Sequence, residues 1–209
     1  MTLDSMSFLG AIAAEFKEAK IEEFSPISVW FSYGSNLFAP DFERKMKEHG
    51  SFLSLLQARP GRLRGWKREL NNKSKTRGLA YSIKENVEEK PSEVFGIVHD
   101  IPIADLSAFL QFEGILDRNS KLREIDKSRA YDVRRVSVEL REPRTTVQCY
   151  TLEGISIANE TERYQRIAER RKDLAVYVRT AMKGAVGFGI DISEFQKDLK
   201  EVVSAFVAL

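Results

Sequence analysis

Cysteine is almost missing from this chain of 209 residues: Cys149 stands alone, so no intrachain disulfide and no cysteine-based zinc cluster can form. Histidine is nearly as scarce, and His49 and His99 supply too little soft ligand for a typical transition-metal site. No apolar run approaches the length that spans a bilayer. The first residues show no basic leader followed by an apolar block, so they do not read as a secretion signal. A reducing, cytoplasmic setting is the simplest expectation. A strong excess of one charge is absent too. The 33 Lys and Arg face 31 Asp and Glu, a formal net charge of +2 that does not by itself argue for nucleic acid. Phosphate-loop, dinucleotide and nucleophile-elbow fingerprints are all missing. Ser35 and His99 make a hydrolase pair only on paper, because the Gly-x-Ser-x-Gly turn such a serine needs is not there.

What is present is an ordinary globular composition, 43% hydrophobic and 31% charged, on a length that suits one domain with a sizeable core. An N-terminal helical extension at about 1–25 is expected, because Phe8, Ile12 and Phe16 recur every four residues among mixed charges. The informative stretch follows it. An apolar run over 27–31 stops abruptly at Ser32-Tyr33-Gly34-Ser35-Asn36, and Pro40-Asp41 then opens a helix. Strand, glycine turn, helix start is a geometry that aims unpaired backbone N–H groups at one spot, which suits an anion.

Downstream, residues 41–49 read as a charged helix stopped by Gly50. Segments 53–58, 63–70 and 78–83, with Pro60-Gly61 between the first two, read as strands that pair in sequence. Residues 59–77 are locally basic (Arg59, Arg62, Arg64, Lys67, Arg68, Lys73, Lys75, Arg77) around Trp66. A nucleic-acid surface is one reading. A solvated strand edge and hairpin is the favoured one, since Glu85, Glu88 and Glu89 follow as compensating acids. The apolar strand at 94–101 leads into a helix carrying Leu106, Phe109 and Leu110, with Gly114 as its stop. Glu113 therefore sits at an apolar helix end, where a carboxylate is ordinarily exposed; burial would raise its pKa and make it a candidate base. Residues 117–129 read as a charged surface loop. Strands are expected at 131–140 and 146–152 around a turn at 142–144, and helices from 160 onward. A break at 187–189 comes before a last helix capped by Ser193, with Phe195, Leu199, Val202 and Phe206 as its buried stripe.

In this order the residues resemble the γ-glutamylcyclotransferase-like family, including its γ-glutamylamine branch. Phe31-Ser32-Tyr33-Gly34-Ser35-Asn36-Leu37 is similar to the family's signature turn. Ala58-Arg59 through Leu70, Gly78-Leu79-Ala80 and Val94-Phe95-Gly96-Ile97-Val98 are similar to its successive strands. Phe112-Glu113-Gly114 matches the Glu-Gly that carries the catalytic glutamate. Tyr131 fits the tyrosine opening the next strand, and Tyr177 with Gly184-Ala185 resembles the helix near the end. The resemblance implies an α+β fold with a small mixed β-barrel flanked by helices. It implies cyclisation of a γ-glutamyl amino acid or amine to 5-oxoproline, with Glu113 as general acid/base and no metal or organic cofactor. The backbone of Tyr33, Gly34, Ser35 and Asn36 would hold the substrate's α-carboxylate, and Tyr131 and Tyr177 its glutamyl group. The implied partner is a small-molecule γ-glutamyl substrate, with neither membrane nor nucleic acid; a homodimer is left open, as is the leaving amine. The alternative is a non-catalytic member of the fold, binding nucleic acid through 59–77 or a protein through the N-terminal helix.

Overall fold

Two apolar runs set the architecture. Residues Trp30 and Phe31 are adjacent on one strand and both buried, yet they point to opposite faces and enter different cores. A strand buried on both faces needs packing on either side, and the computed structural model supplies it with a barrel and two sets of helices. It describes residues 26–51, 57–74, 76–87, 91–113, 131–154 and 157–205.

Five strands close the barrel in the order β1 (Pro26–Ser32), β5 (Glu93–Pro102), β2 (Gln57–Arg64), β6 (Tyr131–Leu140), β7 (Thr146–Gly154). Strand β5 is central to one half: Val98 faces Phe31 of β1 on one side and Arg59 of β2 on the other. All these pairings are antiparallel except the seam, where β7 meets β1 in parallel through Trp30 and Tyr150. Strands β3 (Trp66–Ser74) and β4 (Gly78–Glu85) form a separate two-stranded ribbon. The α+β barrel implied by the resemblance is the one observed.

The helices divide between the two cores. Helices α1 (Ala39–Glu48) and α2 (Ile103–Phe112) pack Phe42, Met46, Leu106, Phe109 and Leu110 around Trp30. Helices α3 (Glu160–Glu169), α4 (Arg171–Gly187) and α5 (Ser193–Ser204) bring Ile167, Leu174, Val178 and Phe195 to the core that contains Phe31, Tyr81 and Ile97.

Several expectations need correction. Pro60-Gly61 is not a turn: both lie inside β2, where Pro60 faces Ile97 and its carbonyl accepts from Arg141 N at 3.0 Å. The turn falls instead at Gly65, whose φ of 76° is left-handed and suits glycine. Of the strands in the 53–83 region only β3 and β4 pair in sequence; β2 pairs with β5 and β6. Ser193 begins α5 rather than capping it, and the Asp191 carboxylate accepts from both its N–H and its hydroxyl. The N-terminal helix, the 117–129 loop, Gly114, Phe206 and most of the strand expected at 53–58 lie outside the described residues.

His99 is fully buried on β5, stacked on Phe42 with ring centroids 4.3 Å apart, in the core opposite the ribbon. Burial pushes its pKa down to about 3. It is no partner for Ser35. In the unfolded chain the imidazole takes its proton near 6.5, so the unfolded state binds more protons below that pH, and stability falls as pH drops from 6.5 toward 3. Replacing His99 by Phe should flatten this acid limb; melting temperatures at pH 6.5 and 4 for both proteins provide the check, and an equal drop in each would refute it.

A second prediction concerns Gly184. A Cβ there would lie 2.2 Å from the Leu37 carbonyl carbon and 2.4 Å from Phe38 N, backbone atoms that cannot yield. Gly184→Ala should cost about 1–3 kcal/mol by overpacking, lowering the melting temperature by roughly 3–10 °C.

Candidate functional site

The site begins where β1 ends. After Ser32 the chain turns through Tyr33 and Gly34 into a single 3-10 turn, Ser35–Leu37, and then enters α1. Leu37 N and Phe38 N donate back to the Gly34 and Ser35 carbonyls at 3.1 Å each. The N–H groups of Gly34, Ser35 and Asn36 make no such turn bond among the described residues, as expected at a helical start. Helix α4 backs the turn directly through the close approach at Gly184.

Glu113 arrives from the other core. It follows the last residue of α2, its N–H bonded to the Phe109 carbonyl at 2.9 Å. Although 77 positions separate them, the Asn36 side-chain amide donates to the Glu113 carboxylate. The glutamate is half-buried rather than splayed into solvent. Burial pushes its pKa up to about 7, against the pull of the Asn36 amide and the positive charges of Lys45 and Arg77.

Three tyrosines complete the wall. The Tyr33 hydroxyl donates to the Leu152 carbonyl on β7. Tyr177, on α4, accepts from Tyr81 N at 3.1 Å, and its hydroxyl lies 3.1 Å from where a Cβ at residue 34 would sit. A side chain at residue 34 would press on that hydroxyl. The Tyr131 hydroxyl lies 3.5 Å from the Tyr81 carbonyl. Burial raises the pKa of Tyr33, Tyr131 and Tyr177, so all three present neutral hydroxyls.

These groups share one cavity of about 430 Å³. Tyr33, Gly34, Ser35, Asn36, Glu113, Tyr131 and Tyr177 all line it, so the residues to which the resemblance gave a role are brought together, while His99 is not. The cavity also has lining that sequence reasoning missed. Ser32 lines it, and its buried hydroxyl has no partner among the described residues. Lys45, Lys73 and Arg77 line it as well. Nothing in the sequence distinguished Arg77 from the other cations at 59–77, but the structure does. Arg59 pairs with Asp100, Arg62 and Arg64 with Glu139, Lys67 with Glu69, Arg68 with Glu194 and Lys73 with Glu162. Arg68 is further covered by the Phe195 ring, 3.6 Å from its centroid. Among the described residues no cluster of His, Cys, Asp and Glu is arranged to hold a metal ion, and no helix is long and apolar enough to cross a membrane.

The fold of this barrel and its helices is γ-glutamylcyclotransferase-like. The chain resembles YkqA from Bacillus subtilis, with a TM-score of 0.51 at 15% identity over 92% of this chain and 58% of that one. It therefore spans little more than half of YkqA, and likeness at this identity is a likeness of fold. Two Arabidopsis thaliana proteins solved in solution are also similar in structure. One is 16% identical, with a TM-score of 0.42, covering 68% of this chain and 83% of its own. The other is 19% identical with the same TM-score, covering 76% and 84%. In sequence the chain matches no protein-family model and no curated protein.

The buried carboxyl has a thermodynamic signature. Folded, Glu113 keeps its proton up to about 7, whereas unfolded it releases it near 4.5. The folded state thus binds more protons in between, and stability falls as pH rises from 4.5 through 7. Glu113→Gln should remove this component, on the order of 2 kcal/mol. Urea midpoints at pH 5 and 8 measure it; parallel losses in both proteins would mean that the carboxyl is not desolvated.

Proposed function

We propose that the protein is a γ-glutamylcyclotransferase-type enzyme, converting a γ-glutamyl compound to 5-oxoproline and a free amine. The observation that carries this reading is the Asn36–Glu113 hydrogen bond, which puts a candidate anion cradle and a candidate base at one cavity. The fold likeness is consistent with it.

The chemistry follows from position. The substrate's α-carboxylate meets the N–H groups of the Gly34–Asn36 turn, where unpaired donors favour an anion. Its α-ammonium then faces the Glu113 carboxylate, which takes one proton. The freed amine attacks the γ-carbonyl carbon, forming the ring C–N bond. As the tetrahedral intermediate collapses, the old amide C–N bond breaks, Glu113 returns its proton to the departing nitrogen, and the second proton of the ring nitrogen is lost to solvent. A carboxyl held near 7 can do both, since neither protonation state is strongly favoured at neutral pH. The tyrosine hydroxyls offer neutral hydrogen bonds to the glutamyl group without adding charge. Attack is intramolecular, so holding the amine within roughly 3–3.5 Å of the carbonyl supplies much of the acceleration. The reaction needs no redox or metal chemistry.

A nucleic-acid module at residues 59–77 draws little support from the geometry, because Arg59, Arg62, Arg64, Lys67, Arg68 and Lys73 are each paired with an acid. The test is incubation with γ-glutamyl dipeptides and γ-glutamylamines, with 5-oxoproline read by mass spectrometry. Product should form, kcat/KM should rise with pH through about 7 as Glu113 ionises, and Glu113→Gln should cost on the order of 10²–10⁴-fold. Asn36→Ala removes a donor that favours the carboxylate, so it should move the acid limb to higher pH. Absence of product from every donor, or full activity without Glu113, would sink this reading.

A further inference from the structure

Among the described residues three cations line the cavity, and they are not equivalent. Lys45 pairs with Asp41 at 2.7 Å and lies over the Phe112 ring. Lys73 pairs with Glu162 at 3.0 Å. Arg77 has no carboxylate partner among the described residues; its guanidinium lies over the Tyr177 ring, 4.9 Å from the centroid. It is half-buried and held on firm ground. Its N–H donates to Ser74 Oγ at 3.3 Å, and the following Gly78, at φ 77°, packs so tightly on α3 that a Cβ would sit 2.8 Å from the Arg166 carbonyl oxygen. The end of the ribbon is thereby pinned to a helix, and Arg77 with it.

Set against the charges of a γ-glutamyl substrate, this leaves one unbalanced group. The α-carboxylate has the turn amides, and the α-ammonium has Glu113. A γ-glutamylamine brings no further charge, so binding it would strip water from Arg77 and give nothing back. A γ-glutamyl amino acid brings a second carboxylate on its leaving half. A guanidinium lying on an aromatic ring keeps its plane fixed and its N–H fork free for two parallel bonds to such a carboxylate. Tyr177 couples the two ends of the site, since its hydroxyl abuts the turn at Gly34 while its ring carries Arg77.

We propose that Arg77 is a specificity-determining residue that binds a carboxylate on the leaving group, so that the site takes γ-glutamyl amino acids or peptides in preference to γ-glutamylamines. This rests on the cyclotransferase reading above.

The test compares γ-glutamylalanine with γ-glutamylethylamide, which differ by that carboxylate alone. In the wild type, kcat/KM should favour γ-glutamylalanine by on the order of 10–100-fold, the worth of a charge-assisted hydrogen bond. Arg77→Met should collapse the ratio toward one, and Arg77→Lys should restore part of it. A merely structural arginine would lower both donors together and leave the ratio in place. A wild-type ratio near one, or a ratio unmoved in Arg77→Met, overturns the proposal. If neither these nor any other γ-glutamyl donor yields 5-oxoproline, cyclisation fails as the function and titration calorimetry on the same proteins decides about Arg77. Tighter binding of γ-glutamylalanine, lost in Arg77→Met, sustains it; equal binding, or none, overturns it.

Discussion

The contact on which the rest depends is the approach of α4 to the turn after β1. At Gly184 the helix has no side chain, and the backbone of Leu37 and Phe38 lies against it. Two turns of helix earlier, the same element delivers Tyr177 beside Gly34. One helix therefore fixes both the back of the turn and the hydroxyl at its front. Two glycines, one on each partner, make this possible. Neither has a left-handed backbone; Gly184 is needed because it leaves space for backbone, and at Gly34 a Cβ would press on the Tyr177 hydroxyl.

Around that contact the electrostatics are arranged by exclusion. Tyr33, Tyr81, Tyr131 and Tyr177 all stay neutral because burial disfavours their ionised forms. Among the described residues, charge within the cavity lining is thus confined to Glu113 and three cations, set in a wall of neutral hydroxyls and rings. Charges so surrounded act more strongly on a ligand than they would in water. Elsewhere the chain cancels its charge. The basic stretch at 59–77 meets acids contributed by β5, β6, α3 and α5, so what reads as a cationic run in one dimension is a set of cross-links in three.

The turn and the glutamate were legible in the sequence because each is a local signal: an apolar run cut off by Gly-Ser-Asn, and a carboxylate closing an apolar helix. Their meeting was legible only through the family resemblance. The placement of β2 was not, since Pro60-Gly61 is a turn signature in isolation. It is tolerated in a strand because Pro60 still offers its carbonyl to Arg141 and Gly61 fits against Val138. Arg77 was hidden for a related reason. Among the described cations of that stretch its distinction is the lack of an ion pair with any described acid, and that depends on which strands and helices come near. Ser193 misled as a cap because Asp191, two residues before it, is the better acceptor.

The parallel seam between β1 and β7 has a consequence of its own. Elsewhere around the barrel, ladders of paired residues join the strands, but here a single Trp30–Tyr150 bridge does so. Side chains make up the difference: Thr151 Oγ1 donates to the Phe31 carbonyl at 2.9 Å, and the Tyr33 hydroxyl reaches Leu152. The barrel is in effect buttoned at this edge rather than woven, and one of its buttons belongs to the turn that lines the cavity. A ligand seated on that turn would restrain Tyr33 and so hold the edge shut, while breathing of the edge would slacken the turn.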